Sequence, residues 1–334
     1  MSRFLSAAAV FVLCALPVMA SPEAPAVTGP LRVDNAYLAI LPFLVVPAEA
    51  PAGPEPRQVA LSLAATYGNG FHWDPEVLYP DLEVLIDAEL LKLTVSGAWA
   101  PTRCLSVAAG LSLIGEYGGF LDGVIEGIHG FFGLPNADRE LYPANSYGFR
   151  IVKGGDVLVD LGEPFLAFGD LVLSGKWTLL DGGAHGFGVA LQAAFSLPVG
   201  SVERFTSSGR LNASIGALAS WRRPPFSVYG GARYLFLGEP AWGPVLGFRH
   251  HNLSFFTCLE WARSADLAWL LQVDGASLPY LHPHPWFDAL SGTVSLGARV
   301  RVGRRFLLEL HLSEELFSFA TLDIAVGCVL RVAL

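Results

Sequence analysis

Alternation of apolar residues with small or polar ones runs to the very end of this chain. Leu322, Ile324, Val326, Cys328, Leu330, Val332 and Leu334 interleave with Thr321, Asp323, Ala325, Gly327, Val329, Arg331 and Ala333. A period of two puts the two sets on opposite faces of a β-strand, one suited to hydrocarbon and the other to a polar interior. The pattern recurs in Leu105 to Leu113, Asp170 to Trp177 and Phe187 to Phe195. Composition says what surrounds such strands. The chain is 52% hydrophobic and 15% charged, whereas a soluble domain carries about 25% charged residues. A helical membrane protein needs apolar runs of about 20 residues. After position 20 the longest run, Ala36 to Ala48, is broken by Pro42 and Pro47. High hydrophobicity without long runs is what a transmembrane β-barrel produces, because alternate residues face lipid.

Twelve strands are expected, at 59–67, 85–99, 105–117, 169–179, 187–197, 211–221, 226–236, 253–261, 267–273, 293–302, 306–312 and 321–334. Most approach the length of about 9–11 residues with which a tilted strand crosses a bilayer. The connections alternate long and short: 68–84 long, 100–104 short, 118–168 very long, 180–186 short, and so on to 303–305 short. Short periplasmic turns, long outside loops and both chain ends on the periplasmic side are the outer-membrane pattern. The sequence therefore predicts an all-β fold, a transmembrane antiparallel up-and-down β-barrel of about 12 strands with one short helix in a long loop. A secreted β-sandwich also alternates. Against it, aromatics sit near strand ends (Tyr67, Trp99, Tyr117, Trp177, Trp221, Tyr234, Trp261), and outer faces carry Leu and Val in place of Lys, Glu or Thr.

Residues 1–20 read as an export signal, with Arg3, the apolar stretch Phe4 to Leu16 and a small-residue cleavage site at Val18-Met19-Ala20. Cleavage near Ala20 and residence in the outer membrane of a Gram-negative-type bacterium are the expectation. Residues 21–57 form a proline-rich periplasmic extension; its apolar centre, Ile40 to Val46, is too hydrophobic for a free linker and is expected to pack under or inside the barrel. Residues 58–334 form the barrel, with 118–168 as a long inserted loop. The mature chain keeps Cys104, Cys258 and Cys328, an odd number without CxxC spacing, so neither a disulfide framework nor a zinc site is implied. Loss of Arg3 lowers the 21 basic residues to 20 against 30 acidic ones, a net charge of −10 that disfavours nucleic acid. The expected partners are membrane lipid, lipopolysaccharide, the barrel-assembly machinery and a small-molecule solute.

One stretch breaks the alternation. In Gly118 to Asn136, Leu121, Val124, Ile125, Ile128, Phe131 and Phe132 recur at helical spacing, while Asp122, Glu126 and His129 fall together on the opposite side. Gly133 and Pro135 end this short helix. Gly119, Gly123, Gly127 and Gly130 each weaken a free helix by about 1 kcal/mol relative to Ala, so it needs a surface to pack against. The stretch resembles the bacterial domain of unknown function 3187 family, whose members carry a near-identical Gly-Gly-Phe-Leu-Asp-Gly-x-Ile-Glu-x-x-His-x-Phe-Phe-Gly-Leu-Pro segment. The resemblance extends to Gly29-Pro30-Leu31 with Asn35, to Pro47, Glu49 and Ala50, to Asn69, and to Gly169-Asp170-Leu171 with Lys176. It implies a cell-envelope barrel and brings no substrate or catalytic residues.

Asp122, Glu126 and His129 share a face and are weak candidates for a cation, set against a solvated polar face. His250, His251, His282 and His284 in outer loops are weaker still. No cofactor is expected, since no Gly-x-Ser-x-Gly elbow, HExxH motif or P-loop occurs. The inward set Lys92, Glu116, Asp170, Lys176, Arg233, Glu260, Gln272, Arg299, Arg301, Glu309, His311, Asp323 and Arg331 mixes both signs, so these groups pair across the lumen or meet water. The expected function is a narrow channel or transporter for small molecules, with 118–168 as plug, constriction or gate. Its pore and gate candidates are Phe120, Leu121, Asp122, Ile125, Glu126, His129 and Phe132 on the loop, and Lys92, Glu116, Lys176, Arg233, Glu260, Arg299, Arg301 and Arg331 on the wall. The helix is expected across the barrel mouth; the competing placement is flat on the outer leaflet. The alternatives are a hydrolase on a barrel scaffold, using His72 with Asp74 and Asp81 or His311 with Ser313, and a structural or surface-interaction barrel. The mature protein should need detergent and give a strand-dominated far-ultraviolet spectrum; a helical spectrum or solubility without detergent would sink the barrel reading.

Overall fold

The computed structural model describes residues 29–74, 81–133, 139, 142–183, 185–281, 290–303, 305–316 and 321–334. The export signal, His282, His284 and the side chains of Asp74, Ile128, His129 and Phe132 lie outside the described residues. The barrel wall comprises β1 (Val59–Asp74), β2 (Leu82–Trp99), β3 (Leu105–Tyr117), β7 (Leu171–Leu180), β8 (Phe187–Leu197), β9 (Asn212–Arg223), β10 (Phe226–Phe236), β11 (His251–Ala262), β12 (Leu267–Ser277), β13 (Leu290–Val302), β14 (Phe306–Glu315) and β15 (Ile324–Ala333). Each pairs antiparallel with the next, and β15 returns to β1 from Ala60↔Ala333 to Asn69↔Ile324, closing a 12-strand barrel with no free edge. The long connection after β3 holds α1 (Leu121–Phe132) and three short strands, β4 (Gly148–Lys153), β5 (Asp156–Leu161) and β6 (Phe165–Phe168). The β4–β5 hairpin pairs with β2 above the point where β3 ends, and β6 pairs with the upper half of β3, in line with β7. A single helical turn, α2 (Gly243–Leu246), lies in a later loop.

Side-chain parity follows the expected faces. Outward residues such as Val95 (63% exposed), Leu253 (60%) and Ile215 (63%) present an exterior that hydrocarbon solvates. Trp99, Trp177, Phe187, Trp221, Phe226, Trp269 and Phe306 ring the end that carries the short turns and both chain ends, here the turn end. The terminal alternation needs one correction. β15 begins at Ile324, and Leu322, expected on the lipid face, is buried in the interior cluster against Gly68. The cause is local: Asp323 N–H donates to Asn69 O and the Asp323 carboxylate accepts from Phe71 N–H, which turns the chain inward before pairing starts.

Residues 29–57 run inside the wall as a two-limbed hairpin. Gly29 N–H reaches Glu260 near the turn end, the chain climbs to an apex at Tyr37 to Leu44, and it descends until Arg57 N–H meets Ala100 O beside the start of β1. Six prolines between Gly29 and Arg57 leave this segment short of N–H donors and out of any sheet. Its carbonyls are met from the wall: Arg299 donates to Pro30 O (2.9 Å), Gln272 to Leu31 O (3.2 Å), Tyr280 to Ala39 O (3.0 Å), Arg233 to Pro47 O (2.8 Å), Lys176 to Ala50 O (2.8 Å) and Thr178 to Pro51 O (2.8 Å). At the apex Tyr37, Leu38, Ile40, Leu41, Phe43 and Leu44 are all buried. Burial of such side chains contributes about 1.5–3 kcal/mol each. Loop aromatics close over them: Phe43 packs on Phe248 (5.7 Å) and Tyr280 (6.1 Å), and Phe149, Phe205 and Trp242 form a chain beside it.

Cys258 faces the lumen but is 1% exposed, covered by Leu31 and Val33 of the segment, whereas Cys104 is exposed in a short turn. A hydrophilic maleimide should therefore modify Cys104 quickly and leave Cys258 and the outward-facing Cys328 unmodified in the folded protein. Mass spectrometry showing Cys258 modified as fast as Cys104 would mean that the segment does not fill the lumen.

Candidate functional site

The inward parity of β11, β13, β14 and β15 gathers charge at the turn end. Arg299 donates to Glu260 (2.9 Å), to Glu309 (2.9 Å) and to Pro30 O, and Arg331 lies 3.6 Å from Glu309. Glu309 also accepts from Arg32 N–H (2.7 Å), and Glu260 from Gly29 N–H (3.1 Å). Buried charges persist when they are paired and their remaining valences filled, and here the entering chain fills them. Arg301 lines a cavity of about 20 Å³ beside Glu260 and Arg299.

Further up, the wall presents cations and the segment presents their acceptors. Lys92 pairs with Asp34 (2.9 Å), while Lys176 donates to Glu49 (2.9 Å) and to the carbonyls of Ala50 and Ala52. Arg233 donates through Nε to Gln192 Oε1 (2.9 Å), reaches Pro47 O and lies over the Phe256 ring. Glu116, also inward, accepts from the Tyr147 hydroxyl (3.0 Å); burial, and then the Glu116 carboxyl itself, raise the Tyr147 pKa and keep it a donor. A cavity of about 90 Å³ remains between the apex and β10–β13, lined by Ile40, Phe43 and Leu44 on one side and Arg233, Asn252 and Asp274 on the other.

The loop candidates lie elsewhere. Asn69 and Glu89 share a register pair on the outward face of β1 and β2, in phase with exposed Val95, and both are buried because α1 covers them. The Glu89 carboxylate accepts from the N–H groups of Phe120 and Leu121 and so caps the helix, whose free N–H groups favour an anion. Gly119 sits at φ +66°, where a Cβ would collide with that carboxylate, and a Cβ on Gly118 would meet the Asn145 carbonyl, which together account for Gly-Gly before the helix. Asp122 accepts from Arg139 (2.5 Å), Asn69 (3.4 Å) and Asn145 N–H (2.7 Å), and Arg139 also bridges to Asp323 (2.5 Å). Burial pushes the Asp323 carboxyl up to about 6 against the pull of Arg139.

The helix expected across the mouth is thus packed on the outside of the wall, with Asp122 and Ile125 toward the strands and Phe120, Val124 and Phe131 (83% exposed) away from them. Leu121 and Glu126 are half-buried at its flanks. The physical reason is the medium: next to hydrocarbon the polar side must face protein. Asp122 is committed to Arg139, Asn69 and Asn145, and among the described residues no three metal-ligating side chains converge. Of the hydrolytic sets, His72 with Asp74 turns on a side chain outside the described residues, whereas Asp81, His311 and Ser313 make other contacts. His311 is pressed against Gly327, Ser313 bonds Ser295 (2.7 Å), and exposed Asp81 faces Lys153 (3.6 Å). His250 and His251 bond Leu237 O and Tyr234.

Parity located the wall cations but not their partners. Arg32, Asp34 and Glu49 carry no periodic signal; the clue was an apolar, proline-rich stretch holding single charges. Glu89 and Arg139 were missed because an outward carboxylate reads as an exception to a lipid face until a helix covers it.

A family model described as protein of unknown function (DUF3187) matches residues 6–331. Among solved structures, the COG4313 outer membrane channel from Pseudomonas putida F1 is similar at a TM-score of 0.54 and 8% identity, covering 87% of this chain and 100% of that one. The NanC porin has a TM-score of 0.43 at 8% identity, covering 81% and 98%. No curated protein matches. The first likeness is one of fold. The family match takes in the inner segment, the glycine-led helix and all but the last two residues of the wall, and the chain belongs to the DUF3187 family.

Proposed function

We propose that this protein is an outer-membrane channel for small solutes, held shut by its own residues 29–57. The observation that carries the reading is the interior: a 12-strand wall is wide enough for a pore, and this one is filled by a tethered hairpin whose polar contacts are made to the wall. A permanent filler would be better served by apolar packing than by buried ion pairs, which gain little net stability. In this reading the signal is cleaved near Ala20, the turn end and the entering chain face the periplasm, and the loops face outward. Lipid and lipopolysaccharide surround the wall, and the barrel-assembly machinery inserts it. Supporting the channel reading over a hydrolase, Ser313 is paired with Ser295 and Glu309 with Arg32 N–H and Arg299, so neither is engaged as half of a nucleophile–base pair.

The outer helix serves as an interfacial anchor. Its capping residue Glu89 lies ten positions along β2 from the girdle residue Trp99. At about 3.3 Å per residue and a tilt near 40°, this is roughly 25 Å, the height of the apolar band of such barrels. Phe120, Val124 and Phe131 then meet the outer boundary of the membrane.

Planar-bilayer recording separates the two segments. Leu41→Asp with Phe43→Asp places charges in the apolar apex and should raise conductance several-fold in a barrel that still assembles. Deleting 118–136 behind a short Gly/Ser linker should leave conductance at the parental level. Conductance unchanged by the apex variant, or raised by the helix deletion, would reject the hairpin as gate.

A further inference from the structure

On the reading that the hairpin is the gate, we infer that Lys176, Gln192 and Arg233 form a binding site for small organic carboxylates in the lumen wall, and that Glu49 occupies it as a tethered mimic of the solute. The three residues lie on one row of the sheet: Lys176 pairs with Gln192 across β7 and β8, Gln192 with Gly216 across β8 and β9, and Gly216 with Arg233 across β9 and β10. All three are buried and face inward.

Three observations converge on an anion. Every hydrogen bond of the Lys176 ammonium goes to the hairpin, to the Glu49 carboxylate and to the carbonyls of Ala50 and Ala52, so departure of the hairpin strips it of its acceptors. Arg233 loses Pro47 O and keeps Gln192 Oε1, and it already acts electrostatically on Glu49. Gln192, 3% exposed, has its Nε2 amide without an acceptor. Because Oε1 is fixed as the acceptor from Arg233 Nε, that N–H₂ group is fixed as a spare buried donor beside the two cations. A buried donor left unmet is costly, and a carboxylate larger than the reach of Glu49 meets it.

Four of the lumen acids keep a partner outside the hairpin when it leaves. Glu260 and Glu309 retain Arg299, Glu116 retains Tyr147, and Asp274 retains Gln272 Nε2. Lys92, whose hairpin partner is Asp34, repeats the arrangement on the other limb. Opening therefore exposes cations in excess, and the resting segment carries a carboxylate for each of two of them.

The test uses the mature protein in detergent and in planar bilayers, with Cys258 modification reporting release of the hairpin. Glu49→Gln should speed Cys258 modification roughly tenfold, the loss of one charge-assisted bond. Its conductance should favour chloride over potassium in a salt gradient. Sodium succinate should accelerate Cys258 modification of the wild type, where sodium chloride of equal ionic strength and glucose do not. Gln192→Glu keeps the acceptor for Arg233 and turns the spare donor into an acceptor, so it should abolish the succinate effect. An open Glu49→Gln channel that is unselective or prefers cations, or succinate acting no better than chloride, overturns the carboxylate site and leaves the gated channel standing. Glu49→Gln that stays closed while the apex variant opens likewise overturns the site. No conductance from any well-assembled variant overturns the channel reading, and the site with it.

Discussion

A proline-rich chain inside a barrel brings carbonyl oxygens that its own backbone cannot satisfy, and the rest of the lumen is arranged around that constraint. Proline supplies acceptors and no donors, so pairing must come from side chains on the wall. Arg299, Gln272, Arg233 and Lys176 from inward wall positions, and Tyr280 from a loop, each donate to a carbonyl between Pro30 and Ala52. The mixed-sign lumen thereby becomes intelligible. Its cations serve the hairpin's oxygens, and its acids Glu260 and Glu309 hold the first N–H groups to enter, those of Gly29 and Arg32.

The outer surface obeys the same rule with the solvent reversed. In water an amphipathic helix turns its apolar side inward. Against hydrocarbon α1 turns Asp122 toward the strands, where Arg139 and Asn69 meet it, and leaves Phe131 outside. Its glycines are tolerated because the helix does not stand free: Glu89 caps it, and Gly119 gives that carboxylate the space it needs. Helix and wall are thus joined as one polar unit through Glu89, Asn69 and Asp122.

How much of this was legible follows from what a period of two can encode. It fixes faces, and the inward placement of Lys92, Lys176, Arg233, Glu260, Arg299 and Arg331 was readable from strand parity, as was the closure into twelve strands. It says nothing about a segment without regular structure, so the partners Asp34 and Glu49 were invisible although the apolar run Ile40 to Val46 marked the segment as buried. It also stops where the backbone does: Leu322 keeps the alternation in sequence but precedes β15, and the bend at Asp323 sends it inside. The helical spacing of 121–132 was readable, yet the same amphipathic pattern fits a lumen or an interface. The choice was made by Glu89 and Asn69, two outward polar residues on strands distant in sequence.

The two limbs of the hairpin depend on each other, and this sets how the interior can open. Leu31 and Val33 of the rising limb and Ala48 of the falling limb share one buried cluster with Tyr229, Phe256 and Cys258, and Gly29 leaves room for no more than van der Waals contact with Ala50. Removing one limb would strand the apolar flank of the other beside Lys176 or Lys92 and leave it half-solvated. Each limb also carries one carboxylate, Asp34 or Glu49, so a half-open state keeps one ion pair and loses the packing that made it worthwhile. On the gated-channel reading the two limbs would therefore leave together toward the turn end, where Gly29 enters and Arg57 leaves. A solute that competes for one limb's wall contacts weakens both.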